Sequence, residues 1–266
     1  MSETVLYEVD GAVAILTLNR PESLNAMNPE MLETMHGVAS RAADDPAVRC
    51  VVITGAGRAF SAGGDVKAMA DRSSAGGAAL PGTDPAAALR QQEEISRLLQ
   101  EMPKPTICAL NGVAAGAGMS VALAADLRIA SDQARIVTAF SRVGFSGDFG
   151  GTWLLQRLVG PAKAKELYFL STPIDAAEAL RLGLVTKVVP HATLMEETLA
   201  LARQLAAGPT LAYGRIKDNF TFGATNNFSD TLTNEAKNMI ASGKTRDHLD
   251  AARAFVEKRE PQFGGH

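Results

Sequence analysis

Asn111-Gly112-Val113-Ala114-Ala115-Gly116-Ala117-Gly118 is the stretch on which the reading of the fold turns. It follows an apolar strand pattern at 107–110, set off by Lys104-Pro105, and runs into an apolar helical pattern at 116–125. Small residues where a strand turns into a helix leave backbone N–H groups uncovered, and such groups suit an anion or a developing oxyanion. A second segment, Ala59-Phe60-Ser61-Ala62-Gly63-Gly64-Asp65-Val66-Lys67, has the same form: it follows a strand pattern at 48–54 and is expected to enter a short helix. Taken alone, each segment is equally well explained by close packing of a helix on a strand.

Working outward, β-rich runs at 5–9 and 13–18 flank Asp10-Gly11, a hairpin signal. Asn28-Pro29 opens a helix through about residue 43, with Asn28 as its cap. Further strands are expected at 127–130 and 184–189, and helices at 162–170 and 176–182. Strands alternating with helices make the core α/β. From 194 onward strand signals stop, and helical stretches follow at 194–207, 210–219 and 229–258, the last broken near Gly243. The chain is therefore divided into a core over 1–193 and a C-terminal helical region over 194–266. Residues 71–86, rich in Ser, Gly, Ala and Pro, read as a mobile surface loop.

Composition narrows the function classes. The 266 residues are 46% hydrophobic and 21% charged, as expected of a globular protein with its own core. A net charge of −3 gives no overall basic field, so no nucleic-acid partner is expected. Asp44, Arg49, Lys104 and Asp126 interrupt the apolar runs, so no membrane span is expected. Met1-Ser2-Glu3-Thr4 lacks a basic segment leading into an apolar core, and Cys50 and Cys108 read as reduced core thiols. Together these set the expectation of a cytoplasmic protein. His36, His191, His248 and His266 form no i, i+4 pair and no Cys-x-x-Cys occurs, so no metal site is expected. Ser242-Gly243-Lys244-Thr245 has Asn238 where a phosphate loop needs its first glycine. Gly144-Phe145-Ser146-Gly147 is one residue short of a nucleophile elbow.

The two glycine segments gain meaning beside Asn19-Arg20-Pro21-Glu22-Ser23-Leu24-Asn25-Ala26, Gly150-Gly151-Thr152, Ala179-Leu180-Arg181-Leu182-Gly183-Leu184-Val185 and Ala254-Phe255-Val256-Glu257-Lys258-Arg259. In this order and spacing, nearly end to end, the set resembles the crotonase, or enoyl-CoA hydratase/isomerase, family. The resemblance implies a crotonase-like spiral of repeated β-β-α units with a C-terminal helical trimerisation region, assembled as a homotrimer or hexamer. It implies an acyl-CoA thioester substrate and no cofactor, since coenzyme A enters as part of the substrate. By position, the N–H groups of Gly64 and Ala117 look like the two oxyanion donors. Family members commonly carry glycine at the second place, and alanine suits it where φ is negative or Cβ is tolerated. Ala62, Gly63, Asp65, Val66 and Lys67 match the CoA-lining segment, Leu24 and Ala26 lie near the nucleotide, and Phe255 and Lys258 resemble tail residues that reach a neighbouring subunit's CoA.

The sequence departs from the hydratases at the acids. The family's water-adding members resemble one another in two glutamates, and the matching positions here are Ser120 and Phe140. Neither moves a proton as a carboxylate does. The carboxylate nearby is Asp148, with Phe140, Phe145, Phe149 and Met119 expected to form a dry acyl pocket that raises its pKa. The plainer alternative is a helix-capping aspartate ahead of Gly150-Gly151. The pattern looks most like the 1,2-epoxyphenylacetyl-CoA isomerase subgroup, in which the matching aspartate is the acid/base. The 4-chlorobenzoyl-CoA dehalogenases also share the position, but no histidine lies between His36 and His191 to serve their hydrolytic step. The expectation is an acyl-CoA isomerase that shifts a double bond or opens an epoxide. A hydratase using Asp148 with Glu93 or Glu94, and a non-catalytic acyl-CoA-binding trimer, are the alternatives.

Overall fold

A computed structural model describes residues 3–65 and 84–266. Val66 and Lys67 of the CoA-like segment, the short helix expected after it, and residues 71–83 of the proposed loop lie outside the described residues. Asp84 and its successors begin a helix instead, the Asp84 side chain accepting the Ala86 N–H.

Two sheets carry the core. The larger has the order β1 (Val5–Asp10), β2 (Val13–Leu18), β3 (Cys50–Gly55), β5 (Thr106–Leu110), β7 (Leu127–Ser131) and β10 (Lys187–Val189). Its first pair is an antiparallel hairpin turned at Gly11, whose φ of 59° a glycine adopts freely; the remaining pairs are parallel. The smaller has the order β4 (Ala59–Ser61), β6 (Val113–Ala115), β8 (Arg135–Val137) and β9 (Ile174–Asp175). Each of β3, β5 and β7 is followed within a few residues by a short strand of the second sheet, which is the expected spiral of repeated units. Those three-residue strands went unread in the sequence because they are too short to show periodicity.

Helices cover both faces. They are α1 (Pro29–Asp44), α2 (Pro85–Gln92), α3 (Glu94–Glu101), α4 (Ala117–Ala124), α5 (Gly151–Val159), α6 (Pro161–Leu170) and α7 (Ala176–Arg181). The C-terminal region adds α8 (Leu194–Ala206), α9 (Thr210–Gly223), α10 (Phe228–Ser242) and α11 (Arg246–Glu257). Alternation along β3 divides the core. Val51 and Ile53 join Met31, Met35, Leu99 and Phe60 on one face, while Cys50 and Val52 join Leu194, Ala202 and Ala206 of α8 on the other. Both cysteines are free and buried, and burial pushes the Cys50 thiol up to about 12. The strand expected at 184–189 is only three residues long, because Leu184 and Val185 turn inward to the Ala179 carbonyl and pack in the core. The break near Gly243 is present, and Thr245 caps the helix beyond it by accepting the His248 N–H at 3.1 Å. No helix among the described residues is long and apolar enough to cross a membrane.

Candidate active site

The two glycine segments lie against each other. Met27 N–H donates to Gly63 O at 2.7 Å and Asp65 N–H to Met27 O at 3.2 Å, a parallel bridge around Gly64. That pairing uses the peptide groups on one side, so the Gly64 N–H faces the other way. Ala62 N–H donates to Leu24 O and Ser61 Oγ to Asn25 O, fixing the 24–27 turn alongside; Ala26 is buried within it. Arg20 closes the same turn, donating to Ala26 O at 2.5 Å and pairing with Asp65 at 3.2 Å.

Across from this, a Cβ on Gly63 would sit 2.7 Å from Ala115 O, and one on Gly118 would sit 2.7 Å from the Ser61 side chain. Glycine at both positions is what lets the segments touch. Gly63 (φ 93°) and Gly116 (φ 51°) take the left-handed conformations, so Ala117 begins α4 without one and the condition that alanine imposes is met. As the first residue of a helix, Ala117 has an N–H with no intrahelical acceptor. Neither it nor the Gly64 N–H bonds to a backbone acceptor among the described residues. Two N–H groups without a backbone acceptor thus stand on adjoining segments from different units of the spiral.

Asp148 approaches on a turn of unusual backbone. Gly147 (φ 120°), Phe149 (φ 50°) and Gly150 (φ 74°) all lie in the left-handed half of the map, and a phenylalanine there costs about 1 kcal/mol. The side chain does not cap α5: Gly150 holds that position with no side-chain bond. Instead, Asp148 Oδ1 is buried without a hydrogen-bond partner. Burial, and secondarily the charge of Glu93, raise the carboxyl from 3.8 to about 6. Glu93 Oε1 accepts the Phe149 N–H at 3.1 Å and so holds the turn from the junction of α2 and α3. Its neighbour Glu94 is occupied by Arg90 and by Arg97, and the Arg97 hydrogen bond keeps its carboxyl below the ordinary range.

The apolar surroundings are partly as expected. Phe140, Phe149 and Met119 are buried, and the Phe140 ring stacks on Tyr168 with centroids 5.7 Å apart. Phe145 is corrected: it is 57% exposed, because its N–H turns back to Phe140 O and the side chain leaves the core. A cavity of about 490 Å³ adjoins the turn, lined by Glu93, Phe149, Gly150 and Trp153. A larger one, of about 600 Å³, lies between α5 and α9 and includes neither Asp148 nor the two N–H groups. Phe255 is 86% exposed on α11 and Lys258 ends that helix; among the described residues no hydrogen bond or ion pair joins either to the site.

Residues 8–266 match the family model described as enoyl-CoA hydratase/isomerase. The chain belongs to that family. It is 40% identical, over the full length of both chains, to the 1,2-epoxyphenylacetyl-CoA isomerase of Escherichia coli. It is 35% identical to the short-chain-enoyl-CoA hydratase of Clostridium acetobutylicum, covering 96% of this chain and 95% of that one. A crystal structure of an enoyl-CoA hydratase from Polaromonas sp. JS666 superimposes with a TM-score of 0.88 at 33% identity, covering 97% and 99% of the two chains. The spiral expected from the resemblance is therefore the fold of this family member.

Two neighbours of the site escaped the sequence. Tyr168 is brought under the Asp148 turn from α6, twenty residues away, and no spacing rule marks it. Arg20 stood inside the quoted N-terminal motif, but only the fold shows its guanidinium on Asp65. Glu93 was one of two candidates, and the bond to Phe149 separates it from Glu94.

Proposed function

We propose that this chain is an acyl-CoA isomerase working through a thioester enolate, with Asp148 as its single acid/base. The observation that carries the reading is a desolvated carboxylate with an unpaired oxygen, raised to about 6, in a site whose Ser120 and Phe140 positions hold no carboxylate. The N–H groups of Gly64 and Ala117 receive the thioester oxygen, each contributing about 3 kcal/mol to stabilising its negative charge. Asp148 takes the proton from the carbon next to the thioester of a 3-enoyl group, the electrons pass into the enolate and its conjugated double bond, and the same proton returns two carbons further along. Atoms and electrons balance with no water, metal or redox partner, so no cofactor is called for. A carboxyl near 6 remains ionised at neutral pH yet returns its proton more readily than an ordinary aspartic acid.

In this reading Ala62, Gly63, Asp65, Val66 and Lys67 line the CoA, Leu24 and Ala26 lie by its nucleotide, and Phe140 walls the acyl group. Phe255 and Lys258 serve a neighbouring subunit of a homotrimer or hexamer, supported by exposed apolar side chains at Phe228, Met239, Ile240, Phe255 and Val256. A cytoplasmic setting is supported by the free thiols. The similarity to an isomerase at 40% identity favours this reaction; opening of an epoxide is the second chemistry it brings. Hydration has one observation in its favour, the second carboxylate of Glu93 beside the turn, although that group is already holding Phe149.

The test is to incubate the protein separately with 3-enoyl-CoA and 2-enoyl-CoA and weigh the products. Interconversion at constant mass is expected. A gain of one water would replace isomerisation by hydration, and binding without turnover of either, or of an aromatic epoxide thioester, would leave a non-catalytic acyl-CoA-binding protein.

A further inference from the structure

Among the described residues, few buried side-chain atoms lack a hydrogen-bond partner, and two of them, Asp148 Oδ1 and Tyr168 Oη, lie at one turn. Tyr168 is 8% exposed, and its ring is held in place by the stack on Phe140. The hydroxyl reaches the glycines on either side of the aspartate. A Cβ on Gly147 would lie 3.0 Å from the Tyr168 ring and 3.5 Å from its oxygen, and one on Gly151 would overlap both Tyr168 Oη and Ser120 Oγ. Any side chain at these positions would close the space in which the phenol sits. Ser120 itself turns back to Gly116 O at 3.3 Å. It lies one helical turn beyond Ala117, and a Cβ on Gly151 would meet its Oγ and the Tyr168 hydroxyl together, so the phenol lies where α4 and the Asp148 turn adjoin.

A buried phenol left unpaired weakens the fold, and Tyr168→Phe would remove that cost without disturbing the ring. Ser120 Oγ and the Asp148 carboxylate are near it, but neither forms a hydrogen bond of ordinary geometry with the phenol among the described residues. Burial first, then the charge of Asp148, push the phenol up against a smaller opposing effect of Ser120, so it stays a donor at neutral pH.

We propose that Tyr168 is a second catalytic residue, its hydroxyl donating a hydrogen bond to an oxygen carried on the acyl group beside the carbons that Asp148 serves. The substrate class this selects is acyl thioesters bearing an epoxide or hydroxyl oxygen near the carbonyl, since a plain hydrocarbon chain offers the phenol no acceptor. No proton changes owner at Tyr168; the bond stabilises charge on the substrate oxygen. The inference rests on the isomerase reading only for where the acyl group lies.

The experiment compares wild type and Tyr168→Phe on a 2,3-epoxyacyl-CoA and on a 3-enoyl-CoA of equal length, with Tm alongside. The expected result is a loss of about 10- to 100-fold in kcat/KM on the epoxide, a change within about threefold on the enoyl chain, and an unchanged or raised Tm. Equal losses on both substrates would make Tyr168 a positioning residue for Asp148 and overturn the proposal. So would no loss on either, which means a water takes the bond, or a fall in Tm, which means a structural partner. Should wild type turn over neither thioester, the isomerase reading fails by itself. The phenol is then tested by the Tm rise that saturating epoxyacyl-CoA gives over saturated acyl-CoA. Loss of that difference in Tyr168→Phe supports the donor, and its persistence overturns it.

Discussion

Around Gly64 and Ala117 the backbone is braced: Met27, Leu24 and Asn25 bond to the first segment, its Gly63 and Ser61 lie against Ala115 and Gly118 of the second, and Arg20 ties the turn beyond. The turn carrying Asp148 is held by one side-chain bond, from Glu93, and it contains three left-handed residues and a buried unpaired carboxylate oxygen. The difference follows from the tasks assigned to the two halves. Donors for a developing oxyanion work by being fixed before the reaction, so their surroundings are satisfied and rigid. A group that must take and return a proton works by being poorly solvated, and its surroundings leave it short of partners. Satisfying Asp148 with a hydrogen bond would stabilise the fold and weaken the base.

Asp148→Asn therefore has the largest expected effect, and its two consequences have opposite signs. Turnover falls by about 10³-fold, while affinity for an acyl-CoA is nearly unchanged because the N–H pair remains. Stability rises, and the size of the gain depends on pH. A folded carboxyl near 6 against an ordinary 3.8 makes ionisation harder in the native state, so the penalty is absent below about pH 4 and complete above about pH 6. The gain in Tm over wild type should appear across that interval. A gain that is equal at pH 4 and pH 7 would mean burial of charge is not its source, and retained turnover would dissolve the contrast between the two halves.

Gly63→Ala attacks the braced half. A Cβ at φ 93° and 2.7 Å from Ala115 O has nowhere to go, so the segments must part. A destabilisation of about 1–3 kcal/mol is expected by chemical denaturation, with a fall in kcat of about 10- to 100-fold as one donor is displaced. Loss of stability with kcat intact would show that the contact builds the fold and not the donor geometry.

The contrast also explains what the sequence made legible. The braced half is written in local chemistry: glycines where the chain must approach closely, small residues at a strand end, an asparagine cap ahead of Pro29. Those features carried the fold and the meeting of the two glycine segments. The acid half is assembled from distant pieces, since Glu93 and Tyr168 meet residues 147–151 from helices whose own spacing carries no trace of the encounter. Phe145 shows the same limit from the other side, counted as a pocket wall by its nearness in sequence and turned outward by the fold.

Glu93→Gln has the smallest expected effect and separates the two things Glu93 does. Glutamine keeps an oxygen to accept the Phe149 N–H, so the turn should hold and Tm should change little. It removes the charge that opposes ionisation of Asp148, so the acidic limb of kcat/KM, expected near pH 6 in wild type, should move down. Burial is the larger cause of the rise and survives the substitution, so the limb should stay above the ordinary aspartate range. Glu93→Ala removes the bond as well as the charge, and its kcat should fall several-fold further, with glutamine restoring it. A limb that stays in place in the glutamine variant would show that Glu93 positions the turn without tuning the acid, leaving burial alone to set the base.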